Sequence, residues 1–425
     1  MNRDIIKLLF IGNILEYYDF SIYGVFSIVM APAFFPAFDS FSQILLSLVI
    51  FISGFIARPL GGIIFGYLGD KYGRKLAITT SIAGMALATC SIGLLPLYEQ
   101  IGILAPILLF MLRIIQGVCL GGEGTGMTIF ILEHLYKYKQ GFINGLVSAS
   151  GITGTLIATL IGLCLTRMPI AAELSWRLAF ILGGLLGVLS LIMRNRLMET
   201  PIYSESIKHK RTDSIPIVQL IITQPYKVLT SIMLAGLLGA MCYLMMMYNN
   251  LLFNKILGIG YSKSLGLSSC GILCLIIFMP LVGKFCDKYG CQKIIIISCL
   301  STILLIKPLF NMLLIVNYAS LIGSLFILAA LTAGVAAPAY QYMFNMFMPL
   351  QRYSGMAFGF NVGMALLGST MPLISMYLIK LTGSNTAPAL YIIFMATTTL
   401  IIVGGKQSYD KFLLLVTSAS FILKY

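Results

Sequence analysis

Charge is scarce in this chain. Asp, Glu, Lys and Arg make up 10% of its 425 residues, and only 14 residues are acidic. A soluble domain of this size needs a charged surface, so a large soluble core is excluded. Histidine occurs twice and tryptophan once. The nine cysteines are scattered, mostly inside apolar runs, and show no metal-ligand spacing. They read as small helix-packing residues. No nucleophile–base pair and no metal set stands among the apolar runs. Neither an enzyme nor a cofactor is therefore expected. The net charge of +14 invites a nucleic-acid reading, but the basic residues sit in short loops between apolar stretches. That is the pattern of membrane topology, not of a DNA-binding face.

Apolar residues fill the space that charge leaves. The chain is 59% hydrophobic, with a mean hydropathy of +0.97. Runs of about 20 apolar residues recur from end to end, the length a helix needs to cross a bilayer. Backbone groups in lipid must bond within their own segment, so these runs are helices. Twelve spans are predicted, at 8–31, 43–68, 76–97, 103–132, 142–166, 178–194, 228–253, 264–285, 294–316, 318–347, 356–379 and 388–404. The first run is too long for a signal peptide and lacks a small-residue cleavage site. The domains expected are an N-terminal six-helix bundle (1–194), a cytoplasmic central loop (195–227), a C-terminal six-helix bundle (228–404) and a cytoplasmic tail (405–425). The tail carries a further apolar run, Phe412–Leu423, that is too short to span. Loops on one side hold about 20 Lys and Arg, against Arg167, Arg177, Lys255, Lys263 and Lys380 on the other. This asymmetry puts both termini in the cytoplasm. Trp176, beside Arg177, marks the outer interface in this reading.

One charged stretch stands out, running from Gly66 through Asp70, Lys71, Gly73 and Arg74 to Lys75. A second copy surrounds Asp287, and both read Gly-x-x-x-Asp-Lys-Tyr-Gly. The two aspartates lie 217 residues apart, half the chain, so a duplication is expected. Gly141, Gly145 and Gly154 likewise match Gly355, Gly359 and Gly368 at an offset of 214. Tight static packing and a sliding helix contact fit these glycines equally.

Ionisable groups inside the spans are few: Glu16, Asp19, Arg58, Arg113, Glu123 and Lys307. Each costs several kcal/mol in lipid, so ligand or proton chemistry is expected where they gather, in the first half. Arg58 lies about 16 Å deep by helical rise and calls for an anionic partner: Asp19, Glu16 or a substrate carboxylate. Asp19 and Glu16, among Tyr17, Tyr18 and Tyr23, are candidates for proton uptake, with a folding pair to Arg58 as the alternative. Gln116 and Glu123 are seven apart on one face of span 4, with Arg113 a turn earlier. The glycines around Glu123 allow helix contact or local unwinding; a phosphate-cradling loop is excluded because no strand precedes them. Glu133 reads as a network residue at the span's end. Lys307 is taken to snorkel outward. Tyr243, Tyr248, Asn249, Tyr340 and Asn361 offer neutral polar lining in the second half, or helix–helix hydrogen bonds.

Twelve spans, a central loop and Gly-x-x-x-Asp-Lys-x-Gly-Arg-Lys after span 2 together resemble the major facilitator superfamily. Glu16–Phe20, Ala57–Gly61, Arg113–Glu123 and Glu199-Thr200-Pro201 resemble its metabolite:proton symporters, with proline/betaine permeases the nearest likeness. The family's Pro and Arg-Gly pair after span 4 are missing, and its long C-terminal extension has no counterpart, so osmotic regulation is not implied. The resemblance implies an all-α polytopic protein of the major facilitator fold, with two pseudo-symmetric six-helix bundles in a bacterial inner membrane. It implies a monomeric secondary transporter that rocks about a central site and takes a small polar metabolite together with a proton. Glu16, Asp19, Arg58, Arg113, Gln116 and Glu123 would serve coupling or substrate binding. An uncoupled facilitator or exchanger of organic acids, or a non-transporting sensor, stays open. The resemblance also implies a cytoplasmic gate: Asp70 facing the start of span 11 near Gly355, and Asp287 the start of span 5 near Gly141.

Overall fold

The computed structural model describes residues 3–135, 139–168, 171–195, 198–209, 217–315 and 317–422. Among these residues there is no strand. The first six long helices are α1 (Arg3–Phe34), α2 (Ser40–Lys71), α3 (Arg74–Gly93), α4 (Leu104–His134), α5 (Gln140–Arg167) and α6 (Ala172–Asn195). The second six are α7 (Pro225–Asn254), α8 (Tyr261–Tyr289), α9 (Cys291–Leu313), α10 (Tyr318–Met346), α11 (Pro349–Thr382) and α12 (Pro388–Ile422). Eleven of them contain a stretch long and apolar enough to cross a membrane. The twelfth is α1, 32 residues long, whose middle holds Glu16 and Asp19.

The helix pairing repeats. In the first bundle α1 packs on α5, α2 on α4, and α3 on α6. In the second α7 packs on α11, α8 on α10, and α9 on α12. Two further pairs join the bundles, α2 with α11 and α5 with α8, and these too correspond under the repeat. Polar groups point inward while apolar ones face out. On α6 Leu178, Leu182, Leu185, Leu189 and Ile192 are exposed, whereas Ser190 and Arg194 are buried. With lipid as solvent this orientation is the favourable one. Lys307 is exposed on α9, away from the bundle interior.

Close approach at the bundle seams rests on glycine, but not on the same glycines in each half. A Cβ on Gly141 or Gly145 would strike the backbone of α8, at Gly283 and Met279. The corresponding seam between α2 and α11 depends on Gly62 and Gly66 of α2, which lie against Ala357 and Ser354. Gly359 instead packs on Val228 and Ser231 of α7, inside its own bundle. Of the repeat glycines, Gly141 and Gly145 are thus seam contacts, whereas Gly154, against Ile14 and Tyr17 of α1, and Gly359 pack inside their own bundles. The glycines of α4 also serve packing, with Gly117 against Gly54 and Gly121 against Arg58 and Gly61. The helix does not unwind there.

Several expectations are corrected. The central segment is not a plain linker: Pro201–His209 and Ile217–Thr223 are helices, and 210–216 lie outside the described residues. The chain does not leave its last helix at Gly404; α12 is 35 residues long and runs to Ile422. Trp176 is not at the lipid interface. It is fully buried between Phe34 and Phe180, and only Arg177, stacked on its ring at 4.7 Å, reaches outward.

Each charged motif turns sharply through one glycine. Gly73 (φ 112°, ψ 152°) precedes α3, and Gly290 (φ 89°, ψ 141°) precedes α9. A side chain in that region costs about 1–3 kcal/mol. At Gly73 a Cβ would also meet the Glu199 carboxylate, whereas nothing lies within 4 Å at Gly290. Gly73→Ala is therefore expected to lower the thermal midpoint in detergent more than Gly290→Ala; equal shifts would show that the Glu199 contact contributes nothing.

Candidate functional site

Three carboxylates from two helices line one small cavity inside the first bundle. Glu16 and Asp19 come from α1 and Glu123 from α4; Ile82 and Met85 of α3 and Gly187 and Ser190 of α6 complete the lining. Its volume is about 10 Å³, space for about one water. The three-residue spacing of Glu16 and Asp19 puts both on the inward side of α1. Glycine lets them in: a Cβ at Gly183 would strike Asp19, and one at Gly124 would touch Glu16. All three acids are buried, at 4%, 2% and 2% exposure.

Among the described residues, only Glu123 of the three has a cation within ion-pair distance. Arg194 Nη1 donates to Glu123 Oε1 at 2.8 Å, with both side chains buried. Both carboxylate oxygens of Glu16 and Oδ1 of Asp19 have no hydrogen-bond partner among the described residues. The Ser190 hydroxyl is likewise unpartnered. Buried polar groups are normally bonded, so this collection of unpaired oxygens around one cavity calls for a ligand, a water or a proton. Arg194 was missed in the sequence, where it marks the last residue of a span. Its signal was the helical spacing Gly183, Gly187, Ser190 and Arg194, a small and polar stripe on an otherwise apolar helix.

The other two intramembrane cations stand elsewhere. Arg58 pairs with neither Asp19 nor Glu16, two of the three partners expected for it; a substrate carboxylate is the third. Its Nε donates to Asn361 Oδ1 of α11 at 3.1 Å, and its guanidinium lies 5.9 Å from the rings of Phe55 and Phe360. Asn361 in turn donates to Gly121 O at 2.6 Å, so the contact joins the two bundles. Helical depth set the right level for Arg58 but could not set the rotation of α2. Arg113 is fully buried and enclosed by aromatic faces: Tyr23 at 4.4 Å, Phe20 at 5.0 Å and Phe51 at 5.5 Å. Its Nη1 donates to Gln116 Oε1 at 2.8 Å, and Gln116 passes the bond to Thr89. Nε and Nη2 of Arg113 have no partner among the described residues. Gln116 and Glu123 therefore belong to two different networks.

A second polar cluster closes the end of the molecule that carries the charged motifs. Asp70 accepts from the backbone N–H of Tyr353 (3.2 Å) and Ser354 (2.8 Å) at the start of α11. Asp287 accepts from the N–H of Gly141 (2.7 Å) and Phe142 (2.8 Å) at the start of α5. A carboxylate is favoured there because the first N–H groups of a helix have no partner and the helix dipole is positive. The first site is larger. Arg74 is fully buried; it donates to Asp70 at 2.9 Å, to Gly69 O and, across the seam, to Pro349 O. Glu133 takes Arg352 of the other bundle at 2.9 Å, Thr200 Oγ1 at 2.6 Å, and lies 3.5 Å from Arg74 Nε. Glu199 accepts from the Lys75 N–H, capping α3. Lys71 points outward between Tyr67 and Tyr72, and takes no part in the seam. The second site has no such cation, since Cys291 stands where the repeat has Arg74.

Removing one partner of a buried pair leaves the other charge unpaired, at a cost of about 3–5 kcal/mol. Glu133→Ala leaves Arg352 without its carboxylate and Arg74 with Asp70 alone, and should destabilise by that order. Glu173→Ala breaks only the half-exposed pair with Arg177 and should change stability by less than about 1 kcal/mol. Thermal unfolding of both variants in the same detergent checks the contrast.

The family model of the Major Facilitator Superfamily matches residues 9–371. A glycine betaine/proline/ectoine/pipecolic acid transporter, OusA of Dickeya dadantii (strain 3937), is 32% identical over 413 residues, covering 92% of this chain and 80% of that protein. The ectoine/proline transporter ProP of Corynebacterium glutamicum is 27% identical over 412 residues, covering 93% and 82%. In fold, the proton:xylose symporter XylE bound to 6-bromo-6-deoxy-D-glucose superposes on 95% of both chains with a TM-score of 0.74, at 14% identity. With the helix pairing, the repeated motifs and these likenesses together, the chain belongs to the Major Facilitator Superfamily and is a multi-pass membrane transporter, not an enzyme.

Proposed function

We propose that this transporter is a proton-coupled symporter of a small zwitterionic or carboxylate metabolite, with a proline- or betaine-like osmolyte favoured. One observation carries the coupling: Glu16 and Asp19 are buried around a shared cavity with carboxylate oxygens that no cation or donor occupies. Such groups exchange protons with far less cost than they can stay charged in an apolar interior. The names of the relatives, transporters of proline, betaine and ectoine, support the substrate class. In this reading Arg113 is the stronger receptor for a substrate carboxylate, because two of its N–H-bearing nitrogens are unpartnered while Arg58 is held by Asn361. Tyr17, Tyr243 and Tyr340 lie around Arg58 at the level where the bundles meet, and aromatic faces there suit a quaternary ammonium group.

The protein is placed in a bacterial inner membrane, as a monomer, with both termini and both charged motifs in the cytoplasm. The inter-bundle hydrogen bonds run from the motif end up to Arg58. The structure then corresponds to a state closed toward the cytoplasm, with Asp70 and Asp287 as the latch.

Coupling is tested in proteoliposomes. A proton gradient of one pH unit, inside alkaline, should sustain roughly tenfold accumulation of labelled proline or betaine, since one unit corresponds to about 1.4 kcal/mol. Acidifying the outside should speed uptake and alkalinising it should slow uptake, because the carboxylates load protons from that side. Asp19→Asn and Glu16→Gln should abolish accumulation yet still exchange labelled for unlabelled substrate. Accumulation that persists unchanged after the gradient is collapsed would overturn symport and favour the exchanger.

The latch has its own test. Asp70→Asn weakens a carboxylate–helix contact of about 1–2 kcal/mol. It should slow turnover severalfold with little change in KM, and a pure KM effect would contradict the latch.

A further inference from the structure

The cavity between α1, α4 and α6 has properties that a proton site alone does not require. Its lining brings oxygens of two chemical kinds together: the carboxylates of Glu16, Asp19 and Glu123, and the hydroxyl of Ser190. Glu16 Oε1 and Oε2, Asp19 Oδ1 and Ser190 Oγ are all unpartnered, and these residues are at most 4% exposed. Fully ionised, the three acids carry an excess of two negative charges over Arg194, the one cation that pairs with them. Arg58 lies near enough to attract Glu16 but makes no ion pair with it within 4 Å. The remaining titratable neighbours are Tyr17 and Tyr18 of α1, Cys90 of α3, Cys119 of α4 and Tyr353 of α11; from α5, the hydroxyls of Ser150 and Thr155 face α1 at Asn13 and Ser21. None of these supplies a positive charge.

The ligand that fits is constrained by hardness, charge and size. The carboxylates and the hydroxyl of the lining offer only oxygen donors, which favours a hard cation over a transition metal. No three His, Cys, Asp or Glu side chains among the described residues close up into a metal-holding group. A zinc site or a calcium cage, which needs several converging charged ligands, is thereby disfavoured. A volume of about 10 Å³ admits one water-sized occupant. A small monovalent ion held by two carboxylates and a hydroxyl meets all three conditions.

We propose that the cavity lined by Glu16, Asp19 and Ser190 is a binding site for a sodium-type monovalent cation, which competes there with protons. One cation and one proton together balance the excess charge, as do two protons. Binding therefore strengthens as pH rises and protons leave the carboxylates. The site shares its carboxylates with the proposed proton coupling but does not depend on the identity of the substrate.

The test is equilibrium binding of radioactive sodium ion to the purified full chain in detergent, with N-methylglucamine chloride holding ionic strength. Saturable binding near one ion per protein at pH 8.5, severalfold weaker at pH 6, is the expected result. Lithium should displace it. Ser190→Ala and Glu16→Gln should each weaken it by about tenfold or more, as loss of a ligand commonly does. Should Glu16→Gln fail to remain monodisperse, Ser190→Ala and the pH competition on the unaltered protein decide the matter. Absence of saturable binding at pH 8.5 overturns the proposal, as does binding indifferent to both pH and Ser190→Ala. Uptake in sodium-free vesicles separates this site from proton coupling. Proton-driven accumulation with no sodium binding overturns the cation site alone. Sodium binding with no proton-driven accumulation supports the site and overturns the coupling.

Discussion

A helix that starts at an interface presents backbone N–H groups that nothing in its own turn can satisfy. In this protein α5 and α11 both start at the seam between the bundles, and in each case a carboxylate from the opposite bundle meets them. That requirement ties together features that are far apart in sequence. It explains why Asp70 and Asp287 are present at all in an apolar chain, and why glycines stand at Gly62, Gly66, Gly141 and Gly145, where backbones must come close enough for the contact. It also accounts for Gly73 and Gly290, whose positive φ turns the chain straight from one span into the next.

The two halves share a skeleton and divide the chemistry. The first bundle holds the unpaired acids and four deeply buried guanidinium groups, at Arg58, Arg74, Arg113 and Arg194. The second contributes mainly neutral groups to the middle of the membrane: Asn361 to Arg58, and the Tyr340 ring against Phe360. Where the second half is irregular it is so in its backbone. Both α7 and α11 contain wide π-helical turns, at Leu244–Tyr248, Leu252–Ile256 and Met364–Gly368. Such turns often accompany function. Here the first bundle carries the charge, and the second carries the helices whose regular ladder is already interrupted.

Much of this was legible beforehand, because hydrophobic length and the Asp-Lys-Tyr-Gly echo are properties of short stretches. Span count, the six-plus-six division and the residues of the acid cluster all follow from local pattern. What was not legible depends on helix rotation. Arg58 was given Asp19, Glu16 or a substrate carboxylate as its partner, because depth can be counted along a helix whereas facing cannot; among side chains it turns toward Asn361. Arg194, at the end of the span 178–194, was not singled out, although it is the cation that pairs with Glu123. Trp176 was read as an interface marker by residue type, and packing against Phe34 and Phe180 buried it. Glu133 binds groups 67 and 219 residues away, which no local signal announces.

The seams are built alike but are not equally strong, and this bears on how the molecule comes apart. Between α2 and α11 there is a carboxylate on two N–H groups, a buried arginine reaching across, and a second acid shared between arginines of both bundles. Between α5 and α8 a single aspartate does the work, with Cys291 where its counterpart has Arg74. Two clasps of unequal strength do not release together. In the rocking motion proposed above, the seam between α5 and α8 is then the one expected to part first, an asymmetry that traces to one substitution in an otherwise duplicated motif.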